Sequence, residues 1–365
     1  MKERGDDSGV ARAAASQRCR ELLAGARFFC SKMFSASKFS AQVSRYRIAN
    51  FPVAISFNET SFFQALAPAL KHLCAYFDED PELTLFVLGP EWWKETLGSG
   101  PNMGDSNPTL NEGFFFDDPT GLSAIFASGA FSSISLFFPE RKTAFYAASS
   151  LEAIPGFEQA APFRTILYWA LRVWGKQAIH AACVGTESGG VLIAGRGGTG
   201  KSCTSLTALK RGMMFLGDDY VMIDASQDPP MAYSLFSSAK LNVLDRGRFP
   251  DFGALWDDFG GEQIPGEKAV VCLSEAFGPQ MASMIPLRAI LIPEITGGVK
   301  TERVPIDRAS ALRELAPTAL FQFPGAGQQD FQRMAELVRK LPCHRLRIGT
   351  DSDSLVETLR SFCHH

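Results

Sequence analysis

A chain of 365 residues with 46% hydrophobic and 21% charged side chains is long enough for two compact domains, and its makeup excludes fibrous and disordered classes. A net charge of −3 gives no footprint for nucleic acid, and the eight cysteines form no CxxC pair and no metal-ligand spacing with the five histidines. Scattered reduced thiols, no apolar run near the roughly 18 residues of a membrane span and no signal-peptide core predict a soluble, cytoplasmic protein with no membrane span.

Residues 1–47 carry ten Lys or Arg against four acids. Residues 1–45 therefore read as an appended basic extension, either frayed or forming a short amphipathic helix over Cys19 to Phe34. Next comes a module over residues 46–160 of α/β or α+β type. Its predicted strands are Arg47 to Phe57, Leu83 to Leu88, runs within Ser123 to Phe138, and Thr143 to Ser149. An apolar helix is expected over Ser61 to Tyr76 and a Gly/Pro/Asn/Asp-rich loop between Gly98 and Asp118. Trp92-Trp93 reads as a buried aromatic anchor or a binding platform, and most of the 30 phenylalanines as core. A helix over Phe163 to Trp174, ended by Gly175, marks the passage to a second domain over residues 175–365.

That domain opens with strands over Ile179 to Val184 and Val191 to Ala194, a Gly-rich loop, a helix over Lys201 to Arg211, and strands over Met213 to Leu216 and Tyr220 to Ile223. Further on, the pattern predicts a strand (Leu287 to Ile292) and helices over Ala309 to Phe321 and Gln328 to Lys340. A strand (His344 to Ile348) and a helix (Asp353 to Phe362) close it. Strands and helices alternating in this way indicate an α/β fold.

Gly195, Arg196, Gly197, Gly198, Thr199, Gly200, Lys201 and Ser202 fit G-x-x-x-x-G-K-[ST]. Glycines let the backbone turn with positive φ and bring N–H groups against phosphate oxygens. Lys201 supplies a mobile charge for the β- and γ-phosphates, Ser202 a hydroxyl for magnesium, and the following helix the positive end of its dipole. A buried strand before the motif and a helix closed by Gly212 after it are the context the motif needs. Cys203 belongs to the same nucleotide-facing stretch, as an oxidisable thiol or as packing under the loop. The pair Asp218-Asp219 follows the apolar strand Met213 to Leu216. A strand, a helix and a returning strand run parallel, so this pair should end beside the loop. There one carboxylate can hold magnesium and the other accept a proton from an attacking hydroxyl, the plainer alternative being a surface turn. Lys240 reads as a solvated side chain, or as a cation reaching a phosphate from above.

From His180 to Val221 the chain resembles HPr kinase/phosphorylase and related serine kinases. The likeness is carried by His180 at a strand start, by Gly195 to Ser202, by Lys210-Arg211-Gly212 and by Asp218-Asp219-Tyr220-Val221. Cys203 stands where that family has an acidic residue. The resemblance implies a P-loop nucleotide-binding domain of the HPr kinase and phosphoenolpyruvate carboxykinase type, preceded by a smaller substrate- or partner-recognising module. It implies Asp219 as proton acceptor, Asp218 and Ser202 as metal ligands, Lys201 on the phosphates and His180 lining the site. The implied activity is transfer of the γ-phosphoryl of ATP, with Mg2+, to a serine of a protein or peptide, or to free serine. A homo-oligomer is implied as well. The rival reading is an ATP-binding regulatory or accessory module without phosphotransfer.

Overall fold

The computed structural model describes residues 42–97, 114–117, 123–127, 133–242, 247–252, 255 and 268–363. Of the extension predicted over residues 1–45, residues 1–41 lie outside the described residues and the rest is strand; of the loop predicted between Gly98 and Asp118, residues 98–113 and 118 lie outside them and Phe114–Asp117 is a strand rather than loop. The described chain is a mixed α/β structure with several sheets. Its described residues divide into two compact units, those within 42–43, 55–63 and 85–154 in the first and those within 44–54, 64–84 and 155–363 in the second.

In chain order the first strands are β1 (Gln42–Ile48), β2 (Phe51–Phe57), β3 (Leu83–Leu88), β4 (Phe114–Asp117), β5 (Ser123–Ala127), β6 (Ser133–Phe138) and β7 (Thr143–Ala148). They form one sheet ordered β1-β2-β3-β7-β6-β5-β4, in which β4 to β7 are an antiparallel meander. The strand predicted over Arg47 to Phe57 is two strands. Ala49 (φ 55°) and Asn50 (φ 68°) are both left-handed, the two-residue geometry that joins neighbouring strands in a hairpin, and Ala49 gives no sequence signal of it. The helix predicted over Ser61 to Tyr76 is α only over Thr60–Leu66. Pro68 cannot donate to the ladder, and the chain tightens into a 3-10 turn over Ala67–Leu73. Trp92 and Trp93, on the helix Pro90–Leu97, are buried edge to face, as the anchor reading requires.

In the second unit lie β8 (Gln177–Ile179), β9 (Ala181–Thr186), β10 (Gly189–Ala194), β11 (Met214–Gly217), β12 (Val221–Asp224), β13 (Met231–Ser234), β14 (Ser238–Asn242), β15 (Lys268–Cys272), β16 (Met284–Ile295), β17 (Glu302–Pro305) and β18 (Cys343–Ile348). Nine of them share a sheet in the order β11-β9-β10-β16-β13-β12-β8, with β18 beside β16 and β17 beside β18, while β14 and β15 pair apart as a ribbon. Only β10 with β16 and β16 with β18 are parallel pairs here; β9 separates β10 from β11 and runs against both, so β11 returns in the direction of β10. Successive side chains of a strand point to opposite faces, and both faces of β10 are covered. Val191 and Ile193 pack with Leu206 and Leu209 of the Lys201–Lys210 helix and with Leu355 and Leu359 of the Ser352–Cys363 helix. Leu192 and Ala194 pack with Leu315, Met334 and Leu337 from the Arg308–Leu315 and Gln328–Lys340 helices. That two-sided burial explains the unbroken apolar run before the loop. The helix predicted over Ala309 to Phe321 is divided at Pro317, and among the described residues no helix is long and apolar enough to cross a membrane.

His72, within the second unit, gives a pH dependence of stability. Ser234 donates its hydroxyl proton to Leu216 O, so its oxygen accepts from His72 Nε2 at 2.6 Å, and Nδ1 is a buried acceptor without a partner. Protonating Nδ1 would bury a donor with no acceptor, and burial pushes the His72 pKa down to about 4. The unfolded chain then binds the extra proton between that value and the ordinary 6.5, so stability present at pH 7 falls as the pH drops through this window. We expect about 2 kcal/mol of the loss between pH 7 and pH 5 to vanish in His72→Gln, read from urea midpoints. An unchanged pH slope in that variant would refute the assignment.

Candidate functional site

The chain leaves β10 at Ala194 in the middle of the sheet and enters the Lys201–Lys210 helix at the end of the Gly-rich loop. Gly198 (φ 81°) and Gly200 (φ 97°) take left-handed backbone that a side chain strains, and a Cβ on Gly200 would also come within 3.3 Å of Ile348. Thr199 Oγ1 donates to Arg196 O (2.9 Å), closing the loop on itself. Among the described residues, the amides of Arg196, Gly197, Gly198 and Gly200 donate to no protein acceptor, which leaves a row of N–H groups at a helix N-terminus. Lys201 is 6% exposed, and its Nζ donates to Gly195 O (2.7 Å) and Arg196 O (3.0 Å). Burial pushes its ammonium below the usual range, against the opposing pull of the Asp219 and Asp218 charges.

The strand predicted over Ile179 to Val184 is broken at His180. β8 pairs with β12 and β9 with β11, and the antiparallel partners Ile179↔Val221 and Cys183↔Gly217 lie on either side of the break. Between them the ladder is interrupted, and residues 218–220 face residues 180–182. His180 is held there by its own amide, which donates to Thr318 O (2.9 Å). Asp218 is 1% exposed; its Oδ1 accepts from Ser205 Oγ (2.7 Å) and its Oδ2 from the Lys240 amide (3.1 Å). Burial and then the Asp219 charge push its pKa up, while Ser205, the Lys240 amide and Ser202 pull it down. Asp219 faces His180 Nε2 (3.3 Å) and Lys240 Nζ (2.7 Å). Its burial opposes ionisation, yet the His180 hydrogen bond and the Lys240 charge outweigh that and hold the carboxyl far below the usual range.

Lys201, His180, Asp219 and Lys240 open on one cavity of about 410 Å³, within the range of about 300–1,000 Å³ typical of small-molecule sites, whereas Asp218 lies buried behind it with its oxygens on Ser205 and the Lys240 amide. Lys201, Lys240, Arg248 and Lys268 line it with Asp219, and Ile295, Ile348 and Leu355 form an apolar wall. His180, Gly197, Gly198, Gly200, Ser202 and Cys203 line it too, whereas Gly195, Arg196 and Thr199 shape the loop behind. Cys203 Sγ lies 3.8 Å from Arg248 Nη1.

No protein-family model matches the chain, and no curated protein matches it. Among solved structures it is similar to the HPr(Ser) kinase/phosphatase from Coxiella burnetii, at 13% identity and a TM-score of 0.28, over 50% of this chain and 93% of that one. At that level of likeness the chemistry has to be argued from the residues.

Lys240 is the largest departure from expectation at the site. It is not solvated: it is 8% exposed, on β14, and paired with Asp219. The available sign was its place in the otherwise small and apolar run Ser237 to Leu241, where burying a lysine requires a carboxylate partner. Arg248 and Lys268 gave no comparable sign. Tyr220 joins a second layer. Its hydroxyl accepts from Arg164 Nη1 (2.8 Å), and its ring lies 5.3 Å from that of His180. Among the described residues no cluster of three or more His, Cys, Asp or Glu is placed to hold a metal. The candidate donors are oxygen only, the Ser202 hydroxyl and the Asp218 carboxylate, a set suited to a hard cation that keeps its waters and shares phosphate oxygens.

Proposed function

We propose that this chain is an ATP-dependent serine kinase whose nucleotide sits in the cavity at the Gly-rich loop. The observation that carries the reading is the charge of that cavity: among the described residues, four cationic side chains and a row of unused loop amides converge where Asp219 is the lining carboxylate. A triphosphate is the class of ligand that such a surface neutralises. The loop is then a P-loop, with residues 175–365 forming the catalytic domain and the 46–160 module recognising the acceptor, a protein, a peptide or free serine.

In the reaction the serine Oγ forms a bond to the γ-phosphorus as the bond from that phosphorus to the bridging oxygen of ADP breaks. The serine proton passes to Asp219 and on to solvent. The transition state of phosphoryl transfer is loose, so a carboxylate of low basicity suffices to orient the hydroxyl. Lys201 leaves its loop carbonyls for the phosphates, and His180 keeps Asp219 aimed. Ser202 and Asp218 would hold Mg2+, which supplies charge neutralisation on the phosphates. The second reading, an ATP-binding accessory module without transfer, is favoured by one observation: Asp219 is already occupied by His180 and Lys240.

Incubation with γ-labelled ATP and magnesium, with and without free serine or a serine-containing lysate, separates the two. Label on an acceptor that disappears in Asp219→Asn supports the kinase. Tight ATP binding with no labelled acceptor under any condition supports the accessory module.

A further inference from the structure

We infer that Lys240 is a second phosphate-binding cation of this site, held on Asp219 until a nucleoside triphosphate enters and then transferred to its terminal phosphate, which frees Asp219 for the acceptor hydroxyl. This rests on the reading of the cavity as an ATP site.

The starting point is where the ion pair lies. A purely structural pair has no reason to front a cavity, yet Lys240 and Asp219 line the same space as Lys201, Gly198, Gly200 and Ser202. The lysine backbone is fixed, so only its ammonium has to move. Its amide is pinned to Asp218 Oδ2, and its strand is held by β15, with Lys240 opposite Val270. The ammonium, by contrast, sits at the end of a flexible four-carbon stem and acts as a point charge that changes partner without a geometric fork to satisfy. Among the described residues its surroundings offer one carboxylate, Asp219, together with the Tyr220 ring at 6.0 Å.

A terminal phosphate outbids that carboxylate. It carries more charge, and the loop amides with Lys201 already fix its position beside Lys240. The exchange is balanced in charge, since the ammonium leaves one anion for another and no proton moves. What remains on Asp219 is the His180 contact, and a carboxylate oxygen is released on the cavity side. The same arrangement orders the reaction. Before the triphosphate binds, Asp219 is masked and an acceptor serine finds no proton acceptor; after it binds, the acceptor site is complete. ADP, which lacks the terminal phosphate, does not draw Lys240 away.

The test uses the full chain and calorimetric binding of the non-hydrolysable β,γ-imido analogue of ATP, and of ADP, each with magnesium. Lys240→Met alone is ambiguous, because it also unmasks the Asp219 charge. The decisive comparison is therefore Asp219→Asn against Asp219→Asn with Lys240→Met, where no carboxylate is left to unmask. In that background Lys240→Met should weaken the analogue about tenfold and ADP less than about twofold, the loss of one charge-assisted bond to the terminal phosphate. Melting curves without nucleotide check that both variants are folded. Equal losses for the two nucleotides, or no loss for either, would overturn the proposal while leaving the ATP site standing. Failure of the parent chain to bind either nucleotide would overturn the ATP site, and the proposal with it.

Discussion

Replacing Lys201 by methionine is expected to weaken ATP binding about a hundredfold and lower turnover about a thousandfold, while the protein melts at or above the parent temperature. The two effects have one origin. Lys201 is buried with its ammonium on two loop carbonyls, and burial lowers its pKa, so the charged form is held at a cost to the fold. Methionine fills the same channel without a charge, and the carbonyls of Gly195 and Arg196 can turn to water at the mouth of the loop. Function and stability thus pull in opposite directions at one residue, as they commonly do where a site is built before its ligand arrives. Calorimetric titration with the ATP analogue gives the affinity, and a thermal melt gives the stability. A variant that binds ATP normally would remove Lys201 from the phosphate site, and one that melts well below the parent would show the ammonium to be a net stabiliser.

Asp219→Asn should lower turnover by about 10²- to 10⁴-fold, the range in which a positioned proton acceptor contributes. The nucleotide should still bind, because the loop and Lys201 are untouched. The pH profile carries more information. His180 and Lys240 overcome the burial of Asp219 and hold its carboxyl far below the usual range, so it remains ionised in the free enzyme at any pH the fold survives. The value of kcat/KM should therefore show no acid limb near the ordinary carboxylate value of about 4. Lys240→Met removes one of the groups that hold the pKa down, and an acid limb should then move up into the measurable range. A limb in the parent enzyme that Asp219→Asn abolishes would mean that Lys240 does not hold the carboxylate as described.

The legible parts of this chain are those whose causes are local. The Gln328–Lys340 helix has the predicted bounds, because periodic apolar residues and a basic last turn act within a few residues of one another. The glycines of the loop declare a backbone requirement that the φ values of Gly198 and Gly200 bear out. The rest depends on what packs against a segment. No propensity places Ala49 in the left-handed region, since the hairpin imposes it. Nothing near His180 announces a strand break, because the break is where the chain passes from one set of partners to another. Lys240 shows the limit most plainly. Its burial is decided by Asp219, a residue on another element, and a polar side chain in a short strand reads as exposed until that partner is known.

The interrupted ladder has a consequence for how such a site can vary. Ile179↔Val221 and Cys183↔Gly217 keep one register across the gap, so residues 180–182 are matched in number by residues 218–220. Removing or adding a single residue on one side would shift the pairing beyond it by one position unless a bulge took it up, as the one between Phe215 and Gly217 already takes up one residue. The stretch that carries His180 and the two aspartates is therefore constrained in its length as well as at those three positions. Among descendants of this sequence, a surviving insertion or deletion there should come with an equal change on the facing chain or with a new bulge beside it.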